Sequence, residues 1–210
     1  MDLDGDRWRG IFESAASVFA EVVGSVDPAR LGDPALGSWT VQDLVGHTSR
    51  SLLTIEMYLA REPEPVTLEG PLAYLAAAAA AGTDPAAADA IAQRGRDAGK
   101  ALGDDVADAV RAISERVASL VDRTADDAPC ATPLGSLTLA AYLPTRVLEL
   151  TVHTLDLAAA TGEEVPEELD EPVAACLELV AAAVGETAHA AAVLRALTGR
   201  GSLPDGLRVV

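Results

Sequence analysis

The sequence predicts an all-α protein, an up-down-up-down four-helix bundle with a small helical C-terminal extension. Three observations carry this. Hydrophobic residues make up 50% of the 210 positions but aromatics only 3%, so the core must be built from Ala, Leu and Val. Alanine has the best helix propensity and allows close helix approach. Apolar residues recur at spacings of three and four along several long segments, and no alternating run of β-branched or aromatic residues suggests a strand. The length suits one well-buried domain or one domain with a small appendage, here divided as residues 1–162 for the bundle and 163–210 for the extension and tail.

The first helix is expected from about Asp6 to Val23, with Trp8, Ile11, Phe12, Ala15, Val18, Phe19 and Val22 as its apolar stripe. Pro28, Gly32 and Pro34 then mark a loop. Thr40 and Asp43 have capping-box spacing and open a second helix reaching about Ala60. Leu44, Thr48, Ser51, Ile55 and Tyr58 form its inner face, and His47 sits at the edge of that face. Glu62–Pro71 reads as a loop, followed by a short helix from Pro71 to Gly82. Asp84-Pro85 supplies an N-cap and first turn for the next helix. Gly99 and Gly103 weaken it, and Asp104 or Asp105 can cap a fresh start to about Asp122, leaving one interrupted helix or two. Asp126–Gly135 is expected as a connector. Thr138–Gly162 is the central helix, with Pro144 either kinking it or separating a preceding turn. Pro172–Val184 and Thr187–Thr198 read as two further helices, and Gly201–Val210 as an extended tail.

The net charge of −18, from 33 acidic and 15 basic residues, argues against nucleic acid and anionic membrane surfaces as partners, because both need a basic footprint. No apolar run is long enough to span a bilayer, and the acidic first segment lacks the pattern of a signal peptide. Cys130 and Cys176 show no metal-cluster spacing and are expected as reduced thiols in a cytoplasmic protein. No nucleophile elbow is present, and Gly95–Ala101 (GRDAGKA) lacks both the spacing and the preceding strand of a phosphate-binding loop.

Chemistry concentrates on the central helix. Arg146, Glu149, His153 and Asp156 fall at spacings of three and four and so share one face. Glu149 and His153, one turn apart, can reach the same point, and a carboxylate with an imidazole gives two of the three protein ligands a catalytic divalent metal usually takes. The same pair also fits an i,i+4 helix contact. Leu148, Leu150, Val152, Leu155 and Leu157 flank this face, so the polar residues must satisfy one another or coordinate something. His47 is the best third ligand by pattern, with His189 as its rival at the start of a helix. Asp156 can hold the free N–H of a ligand imidazole. Arg146 can balance negative charge, bind a substrate carboxylate, or pair with Glu149.

Trp39–His47 (WTVQDLVGH) and Arg146–Leu157 (RVLELTVHTLDL) together resemble the mycothiol-dependent maleylpyruvate isomerase family, within the larger group of DinB-like metal-binding four-helix bundles. The resemblance covers roughly Trp8 to Gly162, and Leu194–Arg200 (LRALTGR) resembles the tails of related actinobacterial proteins. It implies a divalent metal, usually zinc, on His47, Glu149 and His153. It also implies mycothiol as thiol cosubstrate and a small-molecule electrophile as substrate. No catalytic residue of the family's C-terminal domain maps onto the region after Gly162, so the general class, a thiol-dependent metalloenzyme of isomerase or S-transferase type, transfers better than maleylpyruvate isomerisation. The rival readings are a metal-binding or ligand-sensing module without turnover, a structural helical protein, and a thiol-independent metal hydrolase. Monomer and homodimer both remain open.

Overall fold

The computed structural model describes residues 5–207, apart from the side chain of Pro85. Eight α-helices are present among these residues: α1 (Gly5–Ser25), α2 (Val41–Leu59), α3 (Pro71–Ala81), α4 (Pro85–Ala101), α5 (Val106–Arg123), α6 (Leu139–Thr161), α7 (Asp170–Gly185) and α8 (Ala190–Leu197). The expected inner stripes of the first two helices are buried at every position named above. Thr40 and Asp43 form a full capping box at the start of α2. The weak glycine-containing stretch resolves into two helices, because Asp105 caps α5 through the Asp108 amide.

The bundle is made of α1, α2, α5 and α6. Helices α1 and α2 each pack on both α5 and α6, which places α1 and α2 at opposite corners. Arg9 near the start of α1 bonds the Val121 carbonyl at the end of α5, and Arg30 just after α1 reaches the Thr161 carbonyl at the end of α6. Glu56 late in α2 pairs with Arg116 late in α5, whereas the Tyr142 hydroxyl early in α6 donates to Thr54 late in α2. Helices α1 and α6 therefore run one way and α2 and α5 the other. The bundle and its helical extension are as the sequence predicts, but the order along the chain is up-down-down-up rather than strictly alternating. The reason is the α3–α4 excursion: α4 runs back along α2 and returns the chain to the start of α2 before α5 begins. A short connection would have forced α5 antiparallel to α2.

That return is unusually tight. Cβ atoms at Gly46 of α2 and at Gly99 of α4 would lie 2.7 and 2.6 Å from the Gly95 and Gln42 carbonyl oxygens of the facing helix. The glycines that weaken α4 as an isolated helix are thus what lets it touch α2.

The expected connector after α5 holds an antiparallel hairpin, β1 (Pro129–Thr132) and β2 (Gly135–Thr138), with Cys130 opposite Leu137. Four-residue strands are too short to leave a pattern in sequence. They form because Cys130, Ala131 and Leu137 reach the core and because Thr67 and Leu68 amides of the 62–70 loop donate to the Ser136 carbonyl. Helix α6 is capped by the Thr138 side chain and closed by Gly162 in the left-handed region at φ 74°, matching the predicted boundaries. Pro144 lies in the second turn of one continuous helix, so no separate turn precedes it. Helix α7 packs on α6 and α1, while α8 buries none of its residues. Residues 201–207 carry no helix or strand, in keeping with the expected tail, and residues 208–210 lie outside the described residues. No described helix is long and apolar enough to cross a membrane.

Candidate metal centre

His47 comes from the second turn of α2, a position fixed by the capping box that starts that helix at Val41. Its ring stacks on the Trp39 indole, centroids 4.5 Å apart, and Trp39 is itself anchored by donating to the Ala92 carbonyl of α4. A Cβ at Gly95 would lie 3.3 Å from the His47 Cβ, so the close α2–α4 packing presses this histidine toward α6.

On α6, Glu149 and His153 start one turn apart and their side-chain tips approach each other. The Glu149 Oε2 lies 3.8 Å from His47 Nε2 and 3.6 Å from His153 Nε2. One donor atom from each of the three lies within 4.8 Å of the others. Ligand atoms about 2.0–2.2 Å from a tetrahedral zinc are roughly 3.4 Å apart, so small side-chain adjustments would bring these donors to coordination distance. The donor set is two imidazoles and a carboxylate, one of the sets that leaves a position open on catalytic zinc. The two rings meet edge to face, centroids 4.8 Å apart.

Asp156 accepts from His153 Nδ1 at 3.0 Å, which fixes the tautomer that turns the Nε2 lone pair toward Glu149. His47 Nδ1 is buried with no partner, so this ring is oriented by packing rather than by a hydrogen bond. Burial, then the neighbouring His153, lowers the His47 pKa to about 4, and the ring is neutral at pH 7. Burial works against the Glu149 carboxylate, yet the His153 hydrogen bond and the Arg146, His153 and His47 charges hold it down at about 2. Burial also opposes charge on His153, but its contacts with Glu149 and Asp156 outweigh this and raise its pKa. Without a cation, this cluster recruits a proton onto His153; a metal would take that place.

The structure brings together four of the sequence-predicted site residues: His47, Glu149, His153 and Asp156. The rival histidine, His189, lies outside the ion-pair network of these residues and lines a different cavity. Arg146 makes no ion pair with Glu149. It is buried, 9% exposed, donates from Nε to Thr145 Oγ1, and lies 4.7 and 5.6 Å from the Tyr142 and Tyr74 ring centroids. The flank is also less enclosed than the spacing suggests, since Val152 and Leu155 are about 40% exposed. The site is the mouth of a cavity rather than a sealed core.

That cavity measures about 200 Å³ and continues from His47 and Glu149 past Arg146 to Arg50 and Arg94, with Tyr58, Tyr74 and Tyr142 along its walls. Sequence reasoning missed Arg50, Arg94 and the three tyrosines as residues of the site. One signal was available: the chain has three tyrosines in all, and all three face one cavity. Cys130 and Cys176 play no part. Burial pushes their thiols up to about 12 and about 11, which leaves them protonated and unreactive.

A four-helix bundle that turns two imidazoles and a carboxylate from facing helices toward one point is a DinB-like metal-binding domain. A model of the mycothiol maleylpyruvate isomerase N-terminal domain matches residues 12–158, and the chain belongs to that family. No curated protein and no solved structure matches it.

Proposed function

We propose that this protein is a metal-dependent enzyme that activates a low-molecular-weight thiol, mycothiol in the first instance, for isomerisation or S-transfer on an electrophilic small molecule. Zinc is the metal the donor set suits best, and His47, Glu149 and His153 are its ligands. The observation that carries this reading is the convergence of His47 Nε2, Glu149 Oε2 and His153 Nε2 at the mouth of a polar cavity. The metal-binding unit is residues 1–162, and residues 163–210 are an extension to it.

A free thiol has a pKa near 8.5, so only a few per cent is thiolate at neutral pH; a divalent metal supplies the positive charge that holds it ionised. The protein's own groups prepare that step. Neutral His47 keeps its lone pair available, and the ionised Glu149 contributes one negative charge. Two neutral imidazoles and one carboxylate offset only half the charge of a divalent cation, which favours an anionic sulfur as the further partner. Asp156 keeps His153 in the coordinating tautomer. The cavity behind Glu149 gives an electrophile room to lie beside the thiol, and proximity of this kind accounts for a large share of such rate enhancements.

The test is spectroscopic. The cobalt-substituted protein should develop thiolate-to-cobalt charge-transfer bands when mycothiol or a cysteine-containing analogue is added, and turnover of an electrophile should require that thiol. Absence of the bands, with no thiol-dependent turnover, would reduce the protein to a metal-binding module. Turnover without any thiol would instead mark a metal hydrolase.

A further inference from the structure

Helices α1 and α5 leave a groove of about 420 Å³ between them, on the edge of the bundle opposite the α2–α6 edge that carries the metal centre. Its floor is made of small side chains, Ala16 and Ala20 of α1 with Ala107 and Ala118 of α5, and a Cβ added at Gly24 beside them would meet nothing within 4 Å. Glu13, Glu21 and Glu115 form its rim, and none of the three is in an ion pair with a described residue. Arg111, the basic residue on the wall, is held by Asp108. An acidic rim is ordinary in a chain of net charge −18, but Ser114 is not. It lines the same groove, is 5% exposed, and its hydroxyl has no hydrogen-bond partner. Thr48, Ser49, Thr154 and Thr161 satisfy theirs on a carbonyl one turn back. A buried hydroxyl left unmet is destabilising, which marks the groove as a place for a ligand that can meet it.

The two helices run antiparallel, with Arg9 of α1 reaching Val121 of α5. Glu13 and Glu115 therefore share one end of the groove, Ser114 lies near its middle, and Glu21 stands toward the other end. From Glu13 to Glu21 is about 12 Å along the helix at 1.5 Å per residue. Carboxylates so far apart do not converge on one ion, and among the described residues the metal-binding geometry is confined to His47, Glu149 and His153. They suit a ligand that spreads positive charge along an apolar body. We propose that the groove binds a linear aliphatic polyamine of the spermidine class. Its methylenes lie on the alanine floor, its end ammonium groups reach Glu21 and the Glu13–Glu115 end, and its inner N–H donates to Ser114 Oγ. The hollow continues past Glu13 and Ala118 toward Asp122, which leaves room for a longer homologue. No residue of this groove belongs to the metal centre or its cavity, so polyamine binding and the metal–thiol chemistry stand or fall separately.

Calorimetric titration of the full chain with spermidine, and with magnesium chloride as a compact cation, tests this. Spermidine should bind saturably at one site, more weakly as salt is raised because the rim charges are exposed. Glu13→Gln and Glu21→Gln should each lower its affinity about two- to fivefold, while Glu62→Gln, in the exposed loop after α2, should leave it unchanged. Ser114→Ala should lower affinity about two- to tenfold without lowering Tm, because it removes a hydroxyl that has no partner in the free protein. Ala118→Leu should fill the floor and abolish binding, with circular dichroism reporting an intact helical bundle. Should that variant fail to fold, the Glu13, Glu21 and Ser114 variants decide. Magnesium binding as tightly as spermidine, or an equal loss in Glu62→Gln, would reduce the effect to diffuse attraction and overturn the proposal. Unchanged affinity in Ser114→Ala would overturn it too. So would sedimentation showing that the groove variants change the association state while spermidine does not bind, since the groove would then be an interface between copies of the chain.

Discussion

His47 and His153 are both imidazoles in the same cluster, yet their surroundings push them in opposite directions. His153 gains a proton partner in Asp156 and Glu149, while His47 is buried against Trp39 with an unpaired Nδ1. His153→Ala should abolish tight metal binding, measured by metal content after dialysis, while circular dichroism still reports a helical bundle. Asp156→Ala removes only the hydrogen bond behind His153, and the loss of metal affinity should be smaller, on the order of 10–100-fold. The metal-free protein also carries a pH signature. The folded pKa of His47 is lowered from 6.5 to about 4, so between those values the unfolded chain binds more protons. The stability that neutral His47 contributes is full above pH 6.5 and is lost as pH falls toward 4. Glu149, lowered from 4.5 to about 2, extends the same trend into stronger acid. The raised pKa of His153 acts oppositely, its contribution fading as pH rises above 6.5. Denaturant melts of metal-free protein at pH 6.5 and 4.5 should therefore show a larger loss in the wild type than in His47→Gln. Equal losses would mean that the ring is not desolvated as described.

At the scale of elements, the site depends on how closely α4 can lie on α2. Gly46, Gly95 and Gly99 remove three side chains from that contact, and a methyl at Gly46 would collide with backbone atoms of Gly99 and Gly95, which cannot swing aside. Gly46→Ala should cost roughly 1–3 kcal/mol or more as an overpacked contact. It should also weaken metal binding, because His47 is the next residue and shares the displaced turn. Gly10→Ala is the control. That glycine is exposed within α1 with nothing near its missing Cβ, and alanine there should stabilise by about 0.5–1 kcal/mol. Thermal melts and zinc titrations of the two variants separate the cases; similar behaviour would show that the α2–α4 contact is looser than the structure has it. Thr48 and Ser49 on α2 and Thr154 and Thr161 on α6 bond carbonyls one turn back within their own helix, which satisfies these four buried hydroxyls without water.

The described residues fold around an apolar core running from Trp8 to Leu179 that contains none of His47, Glu149 and His153. Metal should therefore add to stability rather than create it. At a free metal concentration one hundred times the dissociation constant, the gain is about 2.7 kcal/mol, a rise of roughly 5–10 °C in Tm for a chain of this size. Calorimetry with and without chelator checks this, and a chelated protein that no longer unfolds cooperatively would show that the ion is structural. The sequence by itself determined the long helices and their caps, the buried stripes of α1 and α2, and the Glu149–His153 pair of the candidate metal centre. Those properties follow from local spacing, and the i,i+4 pair of Glu149 and His153 needs only one helix. The short hairpin left no periodicity long enough to read. Nor did local pattern reveal the parallel course of α5 and α2, because helix direction depends on where a long connection ends. Arg50, Tyr58, Tyr74 and Arg94 looked like ordinary surface or stripe positions until three helices met around Arg146. Only the tertiary structure gathered them into one cationic cavity, because packing alone brings together charges on separate helices, far apart in the chain.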